Sequence, residues 1–167
     1  MSRVVYLPQR LRAIASFITS GAAVVDVGSD HGLLPIFLAQ SGCFRRLIAS
    51  DVSSGSLGAA RRNAAKYAVS DEIEFMVADG LSCVSPNDVD TIVISGLGGE
   101  TIRDILLSAP WAKDSGIRLI LQPQSKIDVL CNFLYNSGYL MRETKIVCDR
   151  GRRYTVILLG GMHSGEY

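Results

Sequence analysis

The stretch Val24-Val25-Asp26-Val27-Gly28-Ser29-Asp30-His31-Gly32 gathers two carboxylates, a hydroxyl, an imidazole and two glycines. Its apolar half reads as a strand, and Leu33 to Gln40 behind it as a helix. A strand that ends in a glycine turn and opens a helix sets backbone N–H groups and a positive helix terminus beside a crevice. The glycine spacing is G-x-x-x-G, not the G-x-G-x-x-G of dinucleotide sites. Asp26 precedes the first glycine and Asp30 follows it. Carboxylates repel a pyrophosphate and suit a ligand with a cationic end. S-adenosylmethionine, with its sulfonium and ammonium, is such a ligand.

Three more loops carry matching chemistry. Asp51-Val52 ends the apolar run Leu47 to Ser50, about twenty residues beyond the first glycine turn, where an acid accepts ribose hydroxyls. Asp79-Gly80 follows the run Ile73 to Val77, and Asp79 stands where an acid accepts from the exocyclic amine of adenine. Ser95-Gly96-Leu97-Gly98-Gly99 follows Asp90 to Ser95, and its glycines let backbone approach a ligand or a flat base. Singly, each has a plain structural reading, as a helix cap or a tight turn. Four in register along one edge of a sheet argue for a nucleotide-like ligand. The candidate cofactor residues are Asp26, Gly28, Ser29, Asp51, Val52, Asp79, Gly80, Ser95 and Gly96.

The elements that position these loops alternate. An amphipathic helix spans Leu7 to Ser20, with Leu11, Ile14, Ala15 and Ile18 on one face. Strands are expected at Ala23–Val27, Leu47–Ser50, Ile73–Val77, Asp90–Ser95 and Arg118–Leu121, and further helices at Ser56–Tyr67, Thr101–Ser108 and Ile127–Asn136. Tyr139–Cys148 and Arg153–Leu159, joined by Asp149 to Arg152, form a β-hairpin. The pattern is an α/β fold, five β/α units finished by an antiparallel hairpin. A nicotinamide-binding domain instead keeps parallel crossovers to its end.

The 167 residues suit one domain, placed at 1–160 with a frayed tail at 161–167. A net charge of +1 announces no overall affinity for nucleic acid, yet thirteen Arg stand against four Lys. The pairs Arg45-Arg46, Arg61-Arg62 and Arg152-Arg153 are candidate phosphate contacts or plain solvated faces. Cys43, Cys83, Cys131 and Cys148 are too scattered for a metal site and read as buried, reduced thiols. No apolar run reaches the roughly 20 residues of a membrane span. A cytoplasmic protein is expected, with no metal.

The motifs together resemble the bacterial tRNA (adenine(22)-N1)-methyltransferases. The resemblance runs from Leu7 to Leu159. It rests on Gln9-Arg10-Leu11, Asp26-Val27-Gly28-Ser29-Asp30-His31 with Leu34-Pro35, Asp79-Gly80-Leu81, Ser95 to Gly99, Leu119 to Pro123, and Tyr154. It implies a Rossmann-like class I methyltransferase fold, a seven-stranded, mostly parallel sheet with helices on both faces. It also implies S-adenosylmethionine as methyl donor and tRNA as substrate, acted on by a monomer or weak homodimer. Asp30 and His31 become the candidate catalytic residues. Arg10, Gly98, Gly99, Gln122 and Tyr154 become the substrate contacts. Three departures stand out. The family usually continues into a helical carboxyl-terminal domain, its acid after the second strand is usually Glu rather than Asp51, and its Gln-Pro-Asn is here Gln122-Pro123-Gln124. Two alternatives keep the cofactor: another methyl acceptor, or a non-catalytic partner module.

Overall fold

One seven-stranded sheet organises the computed structural model, which describes residues 3–114 and 116–160. The elements follow as α1 (Gln9–Ala15), β1 (Ala22–Val27), α2 (Leu33–Ser41), β2 (Phe44–Asp51), α3 (Ser54–Lys66), β3 (Glu74–Val77), β4 (Thr91–Gly98), α4 (Gly99–Ser108), β5 (Arg118–Ser125), α5 (Ile127–Asn136), β6 (Met141–Asp149) and β7 (Arg152–Gly160). The strand order is β3-β2-β1-β4-β5-β7-β6. Strands β1 to β5 pair in parallel, and β7 runs antiparallel to both β5 and β6. The order reverses between β1 and β4, so a crevice opens at their carboxyl ends. The proposed tail at 161–167 lies outside the described residues.

Central strands covered on both faces need continuous apolar character. β1, Ala-Ala-Val-Val-Asp-Val, is buried throughout, and Asp26 is its one polar residue. On one face Val24, Leu47, Val93 and Ile120 pack with Leu11 and Ile14 of α1 and Leu34 and Ile36 of α2. On the other, Val25, Ile92, Ile94 and Leu119 pack with Ile102 and Leu106 of α4 and Leu130 and Leu134 of α5.

Several expectations are corrected. α1 stops at Ala15 rather than Ser20, because i→i+3 bonds from Phe17 and Ile18 tighten the chain into turns. Its inward face is Leu11, Ala13 and Ile14, with Phe17 buried beyond the helix; Ala15 and Ile18 only flank the core. β2 begins at Phe44, earlier than expected. β4 and β5 run on through Gly98 and Ser125, pairing in irregular register past Ser95. Pro123 is tolerated there because β7 pairs only with Arg118 to Leu121, so beyond Leu121 that side of β5 has no β7 partner. The cysteines are free but not buried: Cys43 and Cys148 are exposed and the other two half-buried. Cys43 follows the Gly42 cap of α2, and Cys148 lies on the edge strand β6.

Gly99 is fixed by packing. A Cβ there would run into the Lys126 carbonyl, where the starts of α4 and α5 meet. Alanine in a helix gains up to about 1 kcal/mol over glycine, whereas forcing backbone apart costs about 1–3 kcal/mol. Gly99→Ala is therefore expected to lower the urea midpoint, and a midpoint at or above that of the wild type would refute this packing account.

Candidate active site

The turn after β1 is built by backbone hydrogen bonds. Gly28 N–H and Ser29 N–H both donate to the Ser50 carbonyl of β2, at 2.9 and 3.0 Å, and Gly32 N–H donates to the Ser29 carbonyl at 2.9 Å. Gly28, Asp30 and Gly32 all take left-handed backbone, at φ of 72°, 50° and 72°. Gly32 has a second constraint, since a Cβ there would stand 2.9 Å from the Ala60 Cβ of α3. Aspartate is one of the few non-glycine residues that tolerates φ above zero. The turn throws the Asp30 and His31 side chains outward, 67% and 66% exposed, with Asp30 Oδ2 3.8 Å from His31 Nε2. Asp51 ties the turn to α3: Oδ2 accepts from Asp30 N–H at 3.2 Å and Oδ1 from Ser53 N–H at 2.9 Å. Each carboxylate oxygen keeps a free lone pair.

A cavity of about 180 Å³ lies at the switch point. Asp26, Gly28, Ser29, Asp30 and His31 line it from the β1 side, and Ser95 and Gly96 from the end of β4. Arg10, Gln124, Leu11, Leu33 and Leu34 complete the wall. Asp26 is 4% exposed and accepts from Ser29 Oγ at 2.8 Å. Burial pushes its carboxyl up to about 7, against the downward pull of Ser29 and of the Arg10 cation; nearby Asp51 adds to the rise. The cavity thus holds one carboxyl deep in the wall and another at the mouth.

The substrate candidates separate into two groups. Arg10 Nη1 donates to Gln122 Oε1 at 2.8 Å, and its guanidinium lies 5.7 Å from the centre of the Tyr154 ring. Gln122 is fully buried. Its Oε1 also accepts from Gly96 N–H at 3.1 Å, and its Nε2 donates to the Pro123 carbonyl at 2.9 Å. Its amide is therefore committed to holding Arg10 and the Gly96 backbone. Gln124, two residues further along β5, is the amide that lines the cavity. Strand alternation places Gln122 and Gln124 on one face of β5; what separates them is that Gln122 is bonded to Arg10 and Gly96. Gly98 and Gly99 do not line the cavity, and Gly99 serves the α4–α5 contact described above.

Asp79 and Gly80 line a second cavity, of about 530 Å³, with Thr101, Ile105 and Trp111 around it. Ala78 N–H donates to the Asp51 carbonyl at 3.0 Å, so the Asp79 loop is pinned beside the end of β2. Val52, next to Asp51, is largely exposed. Arg45 and Arg46 are bound to Asp90, Glu74 and Asp88, and Arg61 donates to the Phe75 carbonyl. Among the described residues no His, Cys, Asp and Glu cluster is arranged to hold a metal.

The methyltransferase-domain family matches residues 7–157. The tRNA (adenine(22)-N(1))-methyltransferase of Bacillus subtilis is 30% identical over 152 residues, which are 91% of this chain and 64% of that enzyme. The chain thus spans just under two thirds of that relative's length. The Streptococcus pneumoniae protein Sp1610, solved in complex with S-adenosyl-L-methionine, superposes with a TM-score of 0.85 at 32% identity, over 95% of this chain and 75% of that one. TrmK of M. capricolum, solved with S-adenosyl-homocysteine, gives a TM-score of 0.81 at 26% identity over 93% and 69%. A switch-point cavity, a terminal antiparallel hairpin and a match along nearly the whole sheet agree: the chain belongs to the methyltransferase-domain family, in the group of the tRNA (adenine(22)-N1)-methyltransferases.

Proposed function

We propose that residues 1–160 form a methyltransferase domain that uses S-adenosylmethionine to methylate N1 of adenine 22 in tRNA. The observation that carries this reading is the pair of carboxylates around Gly28, one buried at Asp26 and one exposed at Asp30, in a cavity at the switch point. The donor set fits the cofactor. Carboxylates stand where its cationic methionine end would lie, and Asp51 keeps lone pairs for ribose hydroxyls. Pockets that swallow a whole ligand run to roughly 300 Å³ or more. The cavity of about 180 Å³ therefore suits the methionine end, with the adenosine extending over Asp51 and Val52 toward Asp79.

S-adenosylmethionine supplies an electrophilic methyl group. Adenine N1 already carries an in-plane lone pair, so this chain need not remove a proton before attack. Its work is to align the two partners and keep water out. Methylation at N1 leaves a cationic base. The Asp30 carboxylate at the cavity mouth stabilises that charge, or accepts a proton from the exocyclic amine, with His31 beside it. Arg10, fixed by Gln122, and the Tyr154 ring border the path by which a base turned out of its stack would enter.

The relatives named above support the donor and the acceptor. Among the described residues no helix is long and apolar enough to cross a membrane. We place the enzyme in the cytoplasm with its tRNA, as a monomer or weak homodimer. Incubation with unmodified tRNA and S-adenosylmethionine is expected to yield 1-methyladenosine by mass spectrometry. Folded protein that binds the cofactor by calorimetry yet forms no methylated adenosine would overturn the reading.

A further inference from the structure

The cations of this chain fall into two populations. Near the β3 edge of the sheet Arg45, Arg46 and Arg61 are partnered, while Arg62 and Lys66 stand apart on the exposed side of α3. Arg46 bonds Glu74 at 2.8 and 2.9 Å and Asp88 at 3.0 Å, Arg45 bonds Asp90 at 3.0 Å, and Arg61 lies 5.0 Å from the Phe75 ring centre. At the other edge, the β6–β7 hairpin carries Arg142, Arg150, Arg152 and Arg153, all but Arg150 in the strands themselves. Among the described residues, none of these four has a carboxylate within ion-pair reach. Asp149, opposite Arg152 in register, accepts instead from the Arg10 backbone N–H at 3.3 Å.

The hairpin geometry concentrates this charge. Arg150 and Gly151 take φ of 49° and 75°, the two positive values of a tight hairpin turn. Arg150, Arg152 and Arg153 therefore crowd one end of the hairpin, the end beside α1. Alternation puts Arg152 and Tyr154 on one face, and Tyr154 meets Arg10, which lines the cavity. An unpaired basic tip thus leads by an aromatic and a guanidinium to the candidate active site. Leu140 and Met141 are exposed at the opposite end of the hairpin and Ile146 partway along β6, so the Asp149–Arg152 turn itself carries no large apolar residue and lacks the apolar wedge of a membrane-surface element.

We infer that the β6–β7 hairpin tip docks the sugar–phosphate backbone of a folded RNA beside the base that enters the cavity. The inference rests on the tRNA reading above and adds where the RNA is held. Arginine forks bind phosphate oxygens in pairs and fix register, leaving base selection to the cavity. With a net charge of only +1, the effect comes from the placement of cations and not from their number.

The test compares R152E/R153E with R62E/K66E, a charge reversal on the exposed side of α3. Fluorescence anisotropy with unmodified tRNA reads Kd across a salt series. R152E/R153E is expected to weaken Kd at least tenfold and to reduce the slope of log Kd against log salt by roughly two. R62E/K66E stays within twofold, and both keep wild-type affinity for S-adenosylmethionine. R152Q/R153Q replaces the reversal if that variant fails to fold, with a smaller loss in the same direction. Equal losses in both reversals, no loss at the hairpin, or no tRNA binding by the wild type would overturn the proposal. So would hairpin-dependent capture by phosphatidylglycerol vesicles without binding of tRNA. Hairpin-dependent tRNA binding without formation of 1-methyladenosine would leave the docking surface standing and remove the methyl-transfer reading.

Discussion

Asp30→Asn is expected to lower kcat/KM on unmodified tRNA by about 10²–10³-fold while leaving S-adenosylmethionine affinity within a few-fold. Asparagine is the right replacement because position 30 sits at φ 50°. Asn and Asp both tolerate left-handed backbone, whereas alanine there adds strain of its own. The backbone N–H of residue 30, which donates to Asp51, is untouched. What goes is the negative charge at the cavity mouth. Adenine N1 gains a positive charge as the methyl arrives, so the loss falls on the transition state and appears mainly in kcat. The buried Asp26 still faces the cofactor's cationic end, so affinity for it holds. Steady-state kinetics and calorimetry on one preparation separate the two effects. Near-wild-type turnover would remove Asp30 from the chemistry, and an equal loss of cofactor affinity would make it a binding residue.

The amino-acid pattern carried most of the architecture. Apolar runs and the terminal hairpin pattern placed all seven strands, and that hairpin set the sheet apart from a nicotinamide-binding one. Ile127 to Asn136 agrees with α5 residue for residue. Less visible was how far strands persist once their residues turn polar. Gly98, Gln122 and Pro123 look like loop residues, yet β4 and β5 continue pairing through them. Hydrophobic periodicity marks apolar buried faces, and it passes over Gln122 and Pro123, which are buried but are a polar and a strand-breaking type. That blind spot falls on the candidate site itself. Gln122, expected against substrate, holds Arg10 and Gly96, while Gln124, which stands where the family has Asn, is the amide that lines the cavity. Asp79 shows a related limit: its position after β3 was clear, but sequence does not tell which of two neighbouring cavities a loop will face. The charge pairs differ again. Arg45-Arg46 and Arg152-Arg153 look alike as dipeptides, and among the described residues the tertiary fold supplies acids to the first pair and none to the second.

Asp26→Asn is expected to uncouple both stability and cofactor binding from pH near neutrality. Asp26 is buried in the central strand, and its carboxyl is pushed from an ordinary 3.8 up to about 7. Between those two values the folded protein keeps the proton and the unfolded chain has lost it. Stability from this group is therefore full below about pH 4 and is lost as pH rises through about 7. The total swing is on the order of 4 kcal/mol, a large part of a typical domain's margin. A bound cation reverses the preference, because the sulfonium and ammonium of S-adenosylmethionine favour the carboxylate. Cofactor affinity in the wild type should then rise from pH 6 to 8, and binding near pH 7 should release a proton. Calorimetry in two buffers of different ionisation enthalpy measures that proton directly. Asparagine keeps an acceptor for Ser29 Oγ and abolishes the titration. The variant should resist urea better than the wild type at pH 8, match it only at or below about pH 4, and bind the cofactor about 10²-fold more weakly with no released proton. If it kept the wild-type proton release, another group would be titrating in that window. If it kept wild-type affinity, the buried carboxyl would serve the strand alone, and Asp30 would have to face the cation unaided.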